Sequence, residues 1–278
     1  MAEVLSFTVP SGSDKTLFVW DLSPGPEAEA LQHSLFTVFS EFGLLYSIRV
    51  FPNAPDVTPG FYAIVKFYSS RDANRAQKAC DKKELFQKSP VKVRLCTGRK
   101  MHQYPIYPLS SFKCQELANY YLGFNGWSKR IIMLQKVSDF RHKEDTSPAK
   151  LSTRQSMTYF CALEVVLPAY ECQSRGTGIA EEYMEHQEDP LEFLMKKKKT
   201  QKLAIQKALS DAFQKLLLVV LESGKVAVEY RSTEEEDSAT EEFKDLIQVS
   251  DVSWNQSYQG EEECLSDFSL DEEFSNCS

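Results

Sequence analysis

KTLFVWDL, Lys15 to Leu22, is rich in β-branched and aromatic residues and reads as a strand. The next segment, SPGPEAEALQHSLFTVFSEFG, sets Leu31, Leu35, Val38, Phe39 and Phe42 at helical spacing, with Pro26 near the start and Gly43 at a plausible C′ position. LLYSIRVF and GFYAIVKF then alternate as two further strands around a Pro/Asn/Asp loop. SRDANRAQKACDKKELF offers Ala73, Ala76 and Cys80 as the inner face of a second helix, and VKVRL closes the series as a strand. The order β-α-β-β-α-β predicts a ferredoxin-like sandwich, two helices on one face of a four-stranded antiparallel sheet.

Alternate residues of a strand point to opposite faces. With Leu17 and Val19 turned to the helices, Phe18 and Trp20 face outward. The same parity puts Ser47 and Arg49, then Tyr62, Ile64 and Lys66, then Lys92 and Arg94 on the open face. Aromatic platforms flanked by cations suit single-stranded nucleic acid, because any base can stack on a ring for about 1–3 kcal/mol while cations meet phosphates.

On these residues the module resembles the RNA-recognition motif (RRM). LFVWDL is similar to that family's first conserved hexamer, with Phe18 at the stacking position, and GFYAIVKF to its octamer, with Tyr62, Ala63, Val65 and Phe67 in register. Ile64 stands where a second stacking aromatic is usual, and Gly60 where a cation is usual. The competing expectation is an RRM-type sheet that binds a protein, making the chain an adaptor.

Beyond the polar, proline-containing joint TGRKMHQYPIYPLSS, the segment SFKCQELANYYLGF predicts a helix stopped by Gly123, and NGWSKRIIMLQKVSD a turn followed by a strand. MTYFCALEVVLP predicts a second strand and GTGIAEEYM a weak third. KKKKTQKLAIQKALSDAFQKLLLVVLES predicts a long helix whose stripe runs from Leu203 through Ala204, Ala208 and Ala212 to Leu216 and Val220. Tyr121, Phe124 and Trp127 are expected as core packing at the helix-to-strand corner, since large aromatics bury much area. Lys129 and Arg130, the cations beside this corner, are candidate nucleic-acid contacts, but they lie on opposite faces of their strand, so at most one of them is expected to face a groove. Lys196, Lys197, Lys198 and Lys199 are expected at the helix start, where cations oppose the helix dipole and point to an anion.

Residues 111 to 222 resemble the core of the Rad-fifty-two single-strand annealing family, most closely over LANYYLGFNGWSKRI. The two modules together resemble a Rad-fifty-two motif family that joins such a region to an RRM. The resemblance implies binding of single-stranded DNA and RNA and a part in recombination and the response to DNA-damaging drugs; self-association as a homodimer is a further expectation, and the scattered cysteines, read as reduced thiols, fit a place in nucleus and cytoplasm. The resemblance also implies a groove on the long helix at Lys215, supplemented by the lysine run and Lys202, with Gln214 and Leu218 standing where other cations are usual.

Charge divides the chain. Its formal net charge is −8, yet residues 232–278 carry 15 Asp+Glu against Lys244 alone, leaving 31 Lys+Arg against 25 Asp+Glu in residues 1–231. An acidic block of that kind reads as a disordered tail that recruits protein partners. The expected organisation is a flexible N-terminus (1–14), an RRM-like domain (15–97), a linker (98–110), an α+β domain with an antiparallel sheet packed on the long helix (111–231), and the acidic tail (232–278). Seven widely spaced cysteines form no CxxC pair, apolar runs such as LLLVVL are too short for a membrane span, and His33, His102, His142 and His186 fall in no catalytic motif. No metal, cofactor, membrane or enzymatic function is expected.

Overall fold

The structure is a computed structural model and describes residues 2–25, 27–54, 59–96, 106–137, 155–184 and 190–231. After a short strand β1 (Glu3–Ser6), the first module runs β2 (Thr16–Leu22), α1 (Ala28–Ser40), β3 (Leu45–Pro52), β4 (Phe61–Phe67), α2 (Ser70–Cys80) and β5 (Lys92–Leu95). Its antiparallel sheet has the order β3-β4-β2-β5. Leu17, Val19, Ala63, Val65 and Phe67 are buried against Leu31, Leu35 and Phe39 of α1 and Ala73 and Ala76 of α2. Each strand thus buries alternate residues and leaves the opposite face without helices. Ser69 caps α2, its Oγ accepting from the Asp72 amide at 3.1 Å.

The second module runs α3 (Ser111–Leu122), β6 (Ser128–Val137), β7 (Gln155–Leu167), β8 (Cys172–Met184) and α4 (Pro190–Gln214), an α-β-β-β-α order on the antiparallel sheet β6-β7-β8. The weak third strand is a full partner of β7, paired from Gln155↔Met184 to Leu167↔Cys172. Helix α4 lies directly on β8. A side chain at Gly176 or Gly178 would run into the carbonyl oxygens of Ala208 and Ala204, so small residues on both elements permit the approach. Polar contacts fix the register: Ser174 Oγ donates to the Ala212 carbonyl (2.7 Å), the Thr177 amide to Asp211 (2.9 Å), and Lys207 Nζ to the Ile179 carbonyl (2.9 Å).

Three sequence expectations change. The N-terminus is not loose over residues 3–9. β1 pairs with β9 (Leu216–Val220), which also pairs with β10 (Val226–Tyr230), and Leu5 and Phe7 are buried in the second module's core. The Phe7 and Phe213 rings lie 4.8 Å apart. The long helix also ends at Gln214 instead of carrying its stripe to Val220. LLLVV is apolar at every position and so has no polar face for a surface helix; it becomes the central strand of a sheet. The end of the expected linker packs too, since Leu109 is buried and its amide donates to the Phe7 carbonyl. Residues 97–105 and the acidic tail lie outside the described residues.

The modules are stapled through this third sheet. The Glu3 carboxylate accepts from Ser69 Oγ (2.6 Å), the Ser70 amide (2.6 Å) and Ser70 Oγ (2.9 Å), which places a negative charge at the N-terminus of α2. Burial alone would raise its pKa, but the hydrogen bonds from Ser69 and Ser70 outweigh it and hold Glu3 below the ordinary carboxylate range. Arg71 of α2 donates in return to the carbonyls of Val220 and Leu221.

Candidate nucleic-acid interface

Four aromatic rings form a continuous row on the open face of the first sheet. Trp20 and Phe18 have centroids 5.5 Å apart, Phe18 and Tyr62 5.4 Å, and Tyr62 and Phe51 5.2 Å with nearly parallel planes. Strand pairing produces the row: Phe51 stands opposite Tyr62, and Phe18 stands opposite both Ile64 and Arg94. Trp20, opposite Lys92, extends the platform in the direction away from the aliphatic Ile64. Phe51 is the site residue that sequence reasoning passed over. It shares the parity of Ser47 and Arg49, so carrying their alternation one step further along β3 finds it.

The cations of this face differ in availability. Arg94 is exposed and sits over the Trp20 ring, 5.6 Å from its centroid. Arg49 is exposed opposite Ile64. Lys66 reaches back to the Pro10 carbonyl at 3.3 Å. Lys92 pairs with Asp21 at 2.9 Å, both about half exposed. Asp21 adopts a left-handed φ of 61° where the β2–β4 pairing is irregular, between Val19 and Leu22. Asp is among the few residues that visit this region, and here the turn aims its carboxylate at Lys92.

At the corner of the second module, Gly123 ends α3 with φ 83°, a conformation that calls for glycine. The Trp127 indole N–H donates to Asn119 at 2.8 Å, and its ring meets Phe213 edge-on at 5.2 Å. Trp127 and Tyr121 pack against the core as expected. Phe124 does not: it is 82% exposed at the tip of the turn that Gly123 opens.

The open face of the second sheet carries an ion ladder. Arg130, Glu164 and Arg175 stand opposite one another on β6, β7 and β8, with Glu164 accepting from Arg130 at 2.6 Å and from Arg175 at 3.3 Å. Glu164 is buried beneath the two guanidinium groups. Burial would raise its carboxyl, but the two arginines outweigh that and hold it below its usual range. Arg130 is therefore engaged rather than bare, whereas Lys129 on the other parity, opposite Val165, is exposed. Lys215 is corrected more sharply. Its Nζ donates to the Arg175 carbonyl at 2.7 Å and lies 3.4 Å from Asp211, with its side chain 11% exposed, so it is a packing cation of the α4–β8 contact.

The lysine run lies about two turns inside α4, because the helix begins at Pro190, and the opposition to the helix dipole expected there lapses. Lys196 pairs with Glu192 and Lys199 with Glu182. Among the described residues Lys197, Lys198 and Lys202 have no ion-pair partner, and no group of three metal-ligating side chains occurs.

An RRM-type sheet bearing a row of rings, joined to an α-β-β-β-α module with a lysine-rich helix, defines a two-module protein of the nucleic-acid-binding class. The RNA recognition motif family matches residues 27–90, and the family described as the RDM1 DSRM domain matches residues 109–217. The first match begins after β2, so Phe18 and Trp20 join the site through the sheet register and not through the match. The chain is 63% identical to RAD52 motif-containing protein 1 of Homo sapiens and of Mus musculus, over 98% of this chain and 97% of each relative. It is 40% identical to the protein of that name from Danio rerio, over 97% of this chain and 96% of the relative. The chain belongs to the RAD52 motif-containing protein 1 family.

Proposed function

We propose that this protein binds single-stranded DNA and RNA on the open RRM sheet, contacts duplex phosphates through α4, and acts by binding rather than catalysis in recombination and the DNA-damage response, including resistance to DNA-damaging drugs. The observation that carries the reading is the unbroken row Trp20–Phe18–Tyr62–Phe51 with Arg94 at one end. Such a row offers successive bases a platform that tolerates any sequence, and Arg49 and Arg94 supply charge for the backbone. For α4 the support is chemical: double-stranded RNA-binding domains read backbone shape and charge rather than base edges, and Lys197, Lys198 and Lys202 present cations that no carboxylate among the described residues pairs with. We place the protein in nucleus and cytoplasm, with self-association and recruitment by the acidic tail as further parts of the proposal.

Titration against single-stranded DNA and RNA at two salt concentrations tests the reading. Binding is expected to weaken with salt at a log–log slope of about −0.7 per phosphate contact. Phe18→Ala and Tyr62→Ala are each expected to weaken binding about tenfold or more, at an unchanged slope. A folded protein indifferent to both substitutions would exclude this face as the site and favour an adaptor whose sheet binds protein.

A further inference from the structure

The first turns of α4 carry apolar side chains on the outside. Leu191, Leu194 and Met195 are 63%, 50% and 65% exposed. At 100° per residue, positions 191, 194, 195, 198 and 202 form one stripe, so Leu194 and Met195 are followed on the same face by Lys198 and Lys202. Continued down the helix, this stripe reaches Ile205 and the buried Leu209, which pack into the module's core. The helix, about 37 Å long at 1.5 Å per residue, therefore takes one face from the packed interior out into solvent. The only carboxylate in its first four turns, Glu192, lies off the stripe and pairs with Lys196.

Scattered exposed apolar groups are ordinary, but here they share a line with two cations that have no ion-pair partner among the described residues. That order, apolar tip then cations, fits a polyanion whose apolar parts are accessible, and the proposed contact of α4 with phosphates makes that polyanion a nucleic acid. A continuous duplex hides its bases and a simple anion has none to offer. A duplex with an interrupted stack presents both. Leu and Met side chains are suited to enter such a step, as wedges of this type do in proteins that kink nucleic acid.

We infer that the exposed start of α4 is an apolar wedge, in which Leu194 and Met195 enter an interrupted base stack while Lys198 and Lys202 hold the flanking phosphates. The inference rests on the proposed duplex contact of α4 and names the ligand class it selects: duplex with a bulge, gap or mismatch over continuous duplex.

The test uses the full chain with Leu194→Gln and Met195→Gln together, a change between good helix formers at exposed positions, checked for an unaltered thermal midpoint. The probes are an RNA duplex of about 20 base pairs and the same duplex interrupted by a small bulge with 2-aminopurine beside it. The expected result is that wild type prefers the bulged duplex and brightens or quenches 2-aminopurine on binding. The variant is expected to lose about tenfold in affinity for the bulged duplex, to lose the fluorescence change, and to keep its affinity for the continuous duplex and its salt slope. Wild-type binding that the variant matches on both duplexes overturns the wedge alone, as does an equal loss on both. Wild type that binds neither duplex overturns the wedge and the α4 contact together. Leu194 and Met195 found instead to govern association with anionic vesicles or an acidic peptide would likewise overturn it.

Discussion

The two open sheets of this molecule have the same layout and opposite chemistry. Each is antiparallel with helices on one side only, and each carries arginines on the other. On the RRM sheet the arginines stand beside half-buried rings, with Arg94 over Trp20 and Arg49 exposed. On the second sheet Arg130 and Arg175 close over the buried carboxylate of Glu164. A cation counts toward binding only by what its neighbours leave of it. One acid at the centre of three strands turns a would-be phosphate surface into a structural ladder with one surplus charge, and it leaves α4, with the exposed Lys129 of β6, to offer cations from the second module.

Lys198→Ala with Lys202→Ala is expected to weaken duplex binding several-fold to tenfold and to make the salt dependence shallower by about 1 to 2 in slope, as for one or two lost phosphate contacts on B-DNA. Arg175→Gln on the ladder is expected to change that slope by less than the lysine pair does. A larger slope change from Arg175→Gln, measured by anisotropy across a salt series, would mean that the second sheet is itself the binding face.

Glu164 is held below its usual pKa in the folded protein, so its contribution is fully present above the unfolded carboxylate value near 4.5 and is lost as pH falls through its lowered folded value. Glu164→Gln should cost about 1 kcal/mol at neutral pH, a modest figure because both arginines are largely exposed to solvent. It should also flatten the fall in stability below pH 4.5 relative to wild type. Urea midpoints at neutral and acid pH check both. An equal acid fall in the variant would show that the ladder contributes nothing to the second module.

How much of this was legible beforehand follows from range. The RRM order and the outward set Phe18, Trp20, Tyr62 and Arg94 were readable because the pleat is a local rule with period two. The Gly123 stop was readable because it is a local backbone requirement. What escaped depends on partners far along the chain. Nothing near Glu3 announces that its strand pairs with residue 220 and that its carboxylate caps α2, and LLLVV looks helical until the sheet on both its sides is known. The pairing of Arg130 with Glu164 is not visible in the sequence because the two lie 34 residues apart; Asp211 stands only four residues from Lys215, but the contact that buries Lys215, with the Arg175 carbonyl, is made 40 residues away.

The smallest expected effect tests whether the two sheets can be compared as independent surfaces on one support. Tyr68 follows the last residue of β4 and packs into the second module's core, its ring edge-on to Tyr46 at 5.7 Å, so it belongs to the seam and to neither face. Its hydroxyl is buried without a hydrogen-bond partner, and burial pushes its pKa well up. A buried hydroxyl that makes no bond carries its desolvation cost uncompensated, so Tyr68→Phe is expected to raise stability, by about 1 kcal/mol. The affinities of both faces should stay where they were. If the melting midpoint rises and single-strand or duplex affinity shifts with it, the seam transmits strain to a binding face, and the difference between the sheets is not a matter of local neighbours alone.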